Sequence, residues 1–222
     1  MNAKEIAGKR AIERLWEGMT LGLGTGSTVY YTTLELAKMI NKGFQITIVS
    51  TSNQTTELAN SLNIPLADIN SVPYIDITID GADEVDSDFN GIKGGGGALL
   101  REKIVATNSK KNIWVADSSK LVNKLGAFPL PVEIVAFGSK QLIQNFAEKG
   151  FNPSLRMNAN HPFITDSLNL IVDLNLKNIE NAAKLQEEIK KLPGVVETGL
   201  FINICDEVIV GYSDHYEELK KF

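Results

Sequence analysis

Three runs of residues combine side chains and bare backbone in spacings suited to chemistry on a small anion. The first, Gly22-Leu23-Gly24-Thr25-Gly26-Ser27-Thr28, lies between a short apolar run, Leu21 to Leu23, and an amphipathic pattern set by Val29, Leu36, Ala37 and Ile40. A loop joining strand to helix offers an anion free backbone N–H groups and the positive end of the helix dipole, and the hydroxyls of Ser27 and Thr28 add donors. A tight turn built of small residues would give the same glycines. A dinucleotide fingerprint needs glycine where Ser27 stands and an acidic residue after the strand that ends at Ser50; both are missing, so NAD is disfavoured, and the spacing is not that of a P-loop.

The second run, Asp80-Gly81-Ala82-Asp83-Glu84-Val85-Asp86, begins where the alternating Ile75, Ile77 and Ile79 end. Its first carboxylates therefore stand at a strand's carboxyl edge, where sites of open α/β sheets gather. A solvated acidic loop is the competing reading, and it suits Asp86 and Asp88. Asp86 to Gly91 copies the opening of a calcium loop, but the twelfth position is Gly97 instead of glutamate and no helix precedes it, so calcium is rejected.

The third run, Lys93-Gly94-Gly95-Gly96-Gly97-Ala98-Leu99-Leu100-Arg101-Glu102-Lys103, sets a cation and four bare backbones before a helix that bears a carboxylate. Consecutive glycine amides can form an anion-binding nest, although a flexible linker is also glycine-rich. On that helix Glu102 lies two residues from both Leu100 and Ile104, about 200 degrees away, so it points off their apolar face. A surface glutamate paired with a neighbour fits this spacing equally well.

Composition narrows what these runs can serve. The chain has 222 residues, 43% hydrophobic and 22% charged, with net charge -5, and its lysines and arginines form no stripe for nucleic acid. An anionic substrate must therefore be held by local donors. Cys205, the single cysteine, excludes an internal disulfide and reads as core. Residues Asn2 to Met19 are too charged for a signal peptide, and no apolar run approaches the roughly 20 residues of a bilayer span, so a soluble cytoplasmic protein is expected. His161 and His215 stand too far apart to read as metal ligands, and neither metal nor cofactor is expected.

The elements that must position these runs alternate. A helix with Ile12, Leu15, Trp16 and Met19 precedes the Leu21 to Leu23 strand; further strands read at Gln45 to Ser50, Ile75 to Asp80 and Ile113 to Asp117, with helices at Thr55 to Leu62 and Ala98 to Thr107. Alternation implies a mostly parallel, Rossmann-like sheet. From Phe128-Pro129-Leu130-Pro131 the grammar changes to a strand (Val132 to Phe137), a helix with Leu142, Ile143 and Phe146, extended segments near Leu155 and Phe163 to Leu176, a helix with Ala182, Leu185, Ile189 and Leu192, and a closing strand from Val195 to Ile204. That order is the split βαβ, ferredoxin-like arrangement. Glu207 to Gly211 returns to the first sheet, giving a Rossmann-like domain of residues 1–128 plus 206–222 and an inserted α+β domain of residues 129–205.

Taken together, the three runs resemble type A ribose-5-phosphate isomerase, which carries a glycine-threonine-glycine-serine-threonine loop, an aspartate-glycine-alanine-aspartate-glutamate loop and a lysine, glycine-tract, arginine-glutamate-lysine segment in this order. The likeness continues through Ala116-Asp117-Ser118-Ser119-Lys120, Phe128-Pro129-Leu130-Pro131-Val132-Glu133, Pro193-Gly194-Val195-Val196 and Gly199-Leu200-Phe201. It implies metal-independent interconversion of ribose 5-phosphate and ribulose 5-phosphate in the pentose phosphate pathway by a homodimer or homotetramer. By that likeness Glu102 is the general base between C2 and C1, and Asp80, Asp83 and Lys93 bind the hydroxyls and carbonyl. Thr25, Ser27, Thr28 and Lys120 hold the phosphate end; Gly26, Gly81, Ala82, Gly94, Gly95 and Gly96 complete the substrate-binding set. A non-catalytic sugar-phosphate sensor and a nucleotide-dependent oxidoreductase are the rivals.

Overall fold

The computed structural model describes residues 2–221. The chain divides into two compact units: residues up to Ala82, Arg101–Leu121 and those from Ile204 onward form the first, and Asp83–Leu100 with Val122–Asn203 form the second. This differs from the expected division at 128/129 and 205/206. Residues 83–100 go with the second unit because Glu84–Val85 and Gly91–Ile92 pair with each other and Gly91–Ile92 pairs with Leu200–Phe201, a three-stranded sheet whose two-residue strands carry too little periodicity to be read in advance.

In the first unit six strands run in the order Tyr216–Lys220, Glu207–Gly211, Ser109–Asp117, Ile75–Gly81, Thr20–Leu23, Thr47–Ser50. All neighbours are parallel except the outer pair Glu207–Gly211 and Tyr216–Lys220. The chain leaves Thr20–Leu23 toward Thr47–Ser50 on one side and leaves Ile75–Gly81 toward Ser109–Asp117 on the other. That reversal opens a crevice at the carboxyl ends of Thr20–Leu23 and Ile75–Gly81, the position that favours a ligand in a doubly wound sheet. Met19, Leu21, Leu23, Leu36, Ile48, Ile79, Ile113 and Ile209 form the core beneath it.

The first helix is Ala3–Ala11, followed by one 3-10 turn, and not the Ile12 to Met19 segment expected from apolar spacing. The face it buries is Ala7, Gly8 and Ala11. A Cβ at Gly8 would lie 2.7 Å from the Thr28 carbonyl, so the helix packs through small residues that an apolar pattern does not register. Tyr216–Lys220 is a strand that the sequence does not predict, because an edge strand that is largely exposed has no need of apolar alternation.

The second unit carries a four-stranded antiparallel sheet ordered Val195–Thr198, Leu130–Ile134, Leu170–Leu174, Pro153–Leu155, with helices Ser139–Glu148 and Ala182–Lys190 in the connections. This is the ferredoxin-like order. Its core gathers Leu130, Val132, Ile134, Phe146, Leu174 and Ile189. The strand expected at Val132 to Phe137 begins and ends earlier, at Leu130–Ile134, leaving Val135 and Phe137 exposed. Val195 to Ile204 splits in two, one part joining this sheet and Leu200–Phe201 joining the three-stranded one.

Candidate active site

At the crevice of the first unit, the Gly24–Thr28 loop is pinned to the end of the neighbouring strand. Gly24 donates its N–H to the Ile79 carbonyl at 2.9 Å, and Thr25 donates its own to Asp80 Oδ1 at 3.0 Å. The same Oδ1 accepts from Gly81 N at 2.7 Å, so the Asp80 carboxylate is fixed in rotation while 2% exposed. A Cβ at Gly24 would overlap Asp80 Oδ1 outright, which is why glycine stands there.

The side chain of Thr25 points into a hydroxyl cluster: its Oγ1 lies 2.9 Å from Thr51 Oγ1, 2.7 Å from Ser52 Oγ and 3.1 Å from Thr55 Oγ1. Ser52 caps the Asn53–Ser61 helix by accepting from Thr55 N. Thr25 therefore anchors the loop, with both its N–H and its hydroxyl committed. Ser27, exposed at the tip, accepts a hydrogen bond from Lys4 Nζ at 2.9 Å, and buried Thr28 sits before the first turn of the Val29–Ile40 helix. Thr51, Ser52, Thr55 and Lys4 are additions to the residues expected from sequence. The Thr51-Ser52-Asn53-Gln54-Thr55 run after a strand is a cap signal that could have found three of them; for Lys4 there was none.

Glu102 lies on the Leu99–Thr107 helix, and it is 4% exposed whereas Ile104 is 43% exposed. The buried face is Leu99, Glu102, Lys103, Val105 and Ala106, so Ile104, taken as apolar face, is the outward side and Glu102 the inward one. Val105 packs over the sheet at Gly22, where a Cβ would sit 2.7 Å from its Cγ1. Glu102 is one turn earlier, hence about 4.5 Å nearer the carboxyl edge. Arg101 Nη1 donates to Asn53 Oδ1 at 2.9 Å and ties this helix to the Asn53–Ser61 helix. Lys120 ends the 3-10 turn that follows the Ser109–Asp117 strand; Asp117 caps that turn. Burial alone would raise the Asp117 carboxyl, but the Ser119 hydroxyl and amide outweigh it and hold its pKa below the ordinary range.

In the second unit Asp83 Oδ2 accepts from Gly95 N at 2.8 Å, and Lys93 is 2% exposed with Nζ 5.3 Å from the Phe201 ring centre. Gly94 and Gly97 have φ of 103° and 84°, and Gly97 N donates to Gly94 O, so the tract is a defined turn in which the Gly95 amide serves Asp83. Glu84, absent from the expected site, is buried and accepts 2.6 Å bonds from the N–H groups of Gly126 and Phe128. Asp86 is a turn cap, accepting from Asp88 N and Asn90 N. Cys205 is buried in the first unit, and burial pushes its thiol up to about 12. Among the described residues no group of three His, Cys, Asp or Glu side chains could hold a metal, and no helix is long and apolar enough to cross a membrane.

Comparison with known proteins decides what this arrangement belongs to. The family model for ribose 5-phosphate isomerase A (phosphoriboisomerase A) matches residues 47–215. The chain belongs to the ribose 5-phosphate isomerase A family. It is 53% identical to the ribose-5-phosphate isomerase A of Streptococcus suis strain 05ZYH33 over 212 residues, 95% of each chain. A solved ribose 5-phosphate isomerase A from Methanocaldococcus jannaschii superposes with a TM-score of 0.93 at 38% identity, covering 99% of this chain and 98% of that one. A D-ribose-5-phosphate isomerase solved in complex with phospho-erythronic acid gives 0.94 at 38% identity, over all of both chains. Within ribose 5-phosphate isomerase A, this chain keeps the mixed α/β fold with its mostly parallel sheet.

Proposed function

We propose that this protein interconverts D-ribose 5-phosphate and D-ribulose 5-phosphate, with Glu102 as the proton-transferring base. The observation that carries the assignment of the base is the burial of Glu102 on the Leu99–Thr107 helix, one turn before the Val105 contact with Gly22. Moving a carbonyl from C1 to C2 removes the proton beside the carbonyl, and the resulting enediolate needs a fixed donor for its oxygen charge. Glu102 takes the proton from C2 and returns it to C1, while O1 of the enediolate gains a proton and the O2 hydroxyl gives one up, so that the carbonyl moves from C1 to C2. Lys93 meets the developing charge, since the Gly95 amide already serves Asp83.

Asp80 and Asp83 bind the sugar hydroxyls, each with its carboxylate held by backbone N–H groups. Ser27, Thr28 and Lys120, with Gly26, take the phosphate; Thr25 supports them from below through its hydroxyl cluster. Gly81, Ala82, Gly94 and Gly96 bring backbone alongside the substrate. Anchoring the phosphate orients the carbon chain against the base, which makes a simple carboxylate effective. No cofactor is required by this chemistry. The same reading includes a homodimer or homotetramer working in the cytoplasm. The test is a direct assay of ribose 5-phosphate conversion after exhaustive chelation: full activity is expected, and activity that returns only with added divalent metal overturns the metal-free reading.

A further inference from the structure

We propose that Arg156 is a positioning residue that sets the geometry of the glycine tract, and that supplying it is what the ferredoxin-like sheet contributes to the reaction; this rests on the isomerase reading above. Arg156 follows the Pro153–Leu155 strand and is gripped in two-point fashion by Asp173 of the Leu170–Leu174 strand. Its Nε donates to Asp173 Oδ2 at 2.9 Å, and Nη2 lies 2.5 Å from Oδ1. The backbone is fixed as well, with Arg156 N donating to Ile171 O at 2.8 Å and Phe163 N donating to Arg156 O at 2.9 Å. Held there, Nη1 donates to the carbonyls of Gly94 at 2.7 Å and Gly95 at 3.1 Å.

Gly94 C=O and Gly95 N–H belong to one planar trans peptide unit, so they point in opposite directions. Arg156 grips that unit by its oxygen; Asp83 Oδ2 grips it by its N–H at 2.8 Å. Four successive glycines have little conformational preference of their own, so an external clamp must choose among their accessible states. Phe163 reinforces the choice: its ring lies where a Gly97 Cβ would be, and its centre is 6.0 Å from the Arg156 guanidinium. Lys93 directly precedes the clamped unit, and the helix bearing Glu102 follows it by a few residues. Only a planar fork can satisfy Asp173 and two carbonyls at once, so lysine would restore the charge without the clamp.

The test compares the parent protein with Arg156→Lys and Arg156→Ala, reading kcat, KM, inhibition by inorganic phosphate and thermal midpoint. Arg156→Lys is expected to lower kcat by about 10²-fold while KM and phosphate inhibition stay within about threefold, because the loss is of orientation at the reacting carbons. Added guanidinium, and not urea, should restore part of kcat in Arg156→Ala; if that variant does not fold, Arg156→Lys decides alone. Parent-like kcat in Arg156→Lys, or a kcat loss that only follows a loss of folded protein, overturns the inference. An inactive parent protein would instead remove the isomerase reading itself.

Discussion

Thr25 and Asp80 are joined across two adjacent strand ends by a 3.0 Å hydrogen bond from backbone N to Oδ1, so the loop proposed to take the phosphate and the carboxylate proposed to bind the sugar share one support. Displacing either member must disturb both. Gly24 is the place to show it, because any side chain there collides with Asp80. Gly24→Ala should cost about 1–3 kcal/mol of stability by overpacking, measured by denaturant titration, and should lower kcat and raise KM together. A variant with normal kinetics would separate the loop from the carboxylate.

Lys4 donates to Ser27 at the exposed tip of the same loop. A charge-assisted donor near a phosphate contributes on the order of 1.5–3 kcal/mol, so Lys4→Met should raise KM for ribose 5-phosphate by about 10- to 150-fold and weaken inhibition by inorganic phosphate in step, with kcat little changed. An unaltered KM would leave Lys4 as a loop support alone.

Glu84 is a buried acceptor for two backbone N–H groups, those of Gly126 and Phe128. Glu84→Ala strands both donors, each at about 1–3 kcal/mol, and should therefore be the most destabilising single change among the acidic residues of its loop. Thermal unfolding of Glu84→Ala beside Asp86→Ala checks this; equal midpoints would contradict it.

Acid stability is predicted from a charge cluster in the first unit. Hydrogen bonds from Arg14, then Arg10, lower the Glu218 carboxyl from the ordinary 4.5 to about 2. Buried Glu207 is also lowered: burial opposes this, but Arg14 and Lys111 outweigh it. Because the folded values lie below the unfolded ones, the stabilisation is fully present above about pH 4.5 and is lost as pH falls toward about 2. Unfolding followed across that window should show stability decreasing with acid, and Glu218→Gln should flatten the slope.

Much of this site was legible because its residues cluster along the chain. The glycine loops, Asp80 and Lys93 advertise themselves by type and by their place after strands. Glu102 was legible as a candidate, but its inward orientation was not, since Leu100 and Ile104 suggested the wrong face; burial of Glu102 and Lys103 together is decided by tertiary surroundings that periodicity does not record. Arg156, Lys4 and Thr55 act on loops 62, 23 and 31 residues away. Such long-range hydrogen bonds leave no local pattern. The Ala3–Ala11 helix was hidden for another reason, its packed face being alanine and glycine.

Proton transfer by Glu102 is best tested by isomerisation in deuterated water followed by NMR. The parent protein should place solvent deuterium on the carbons that exchange the proton, while Glu102→Gln should exchange at least ~10²-fold more slowly yet bind inorganic phosphate about as well as the parent. Exchange at the parent rate in Glu102→Gln would contradict the account.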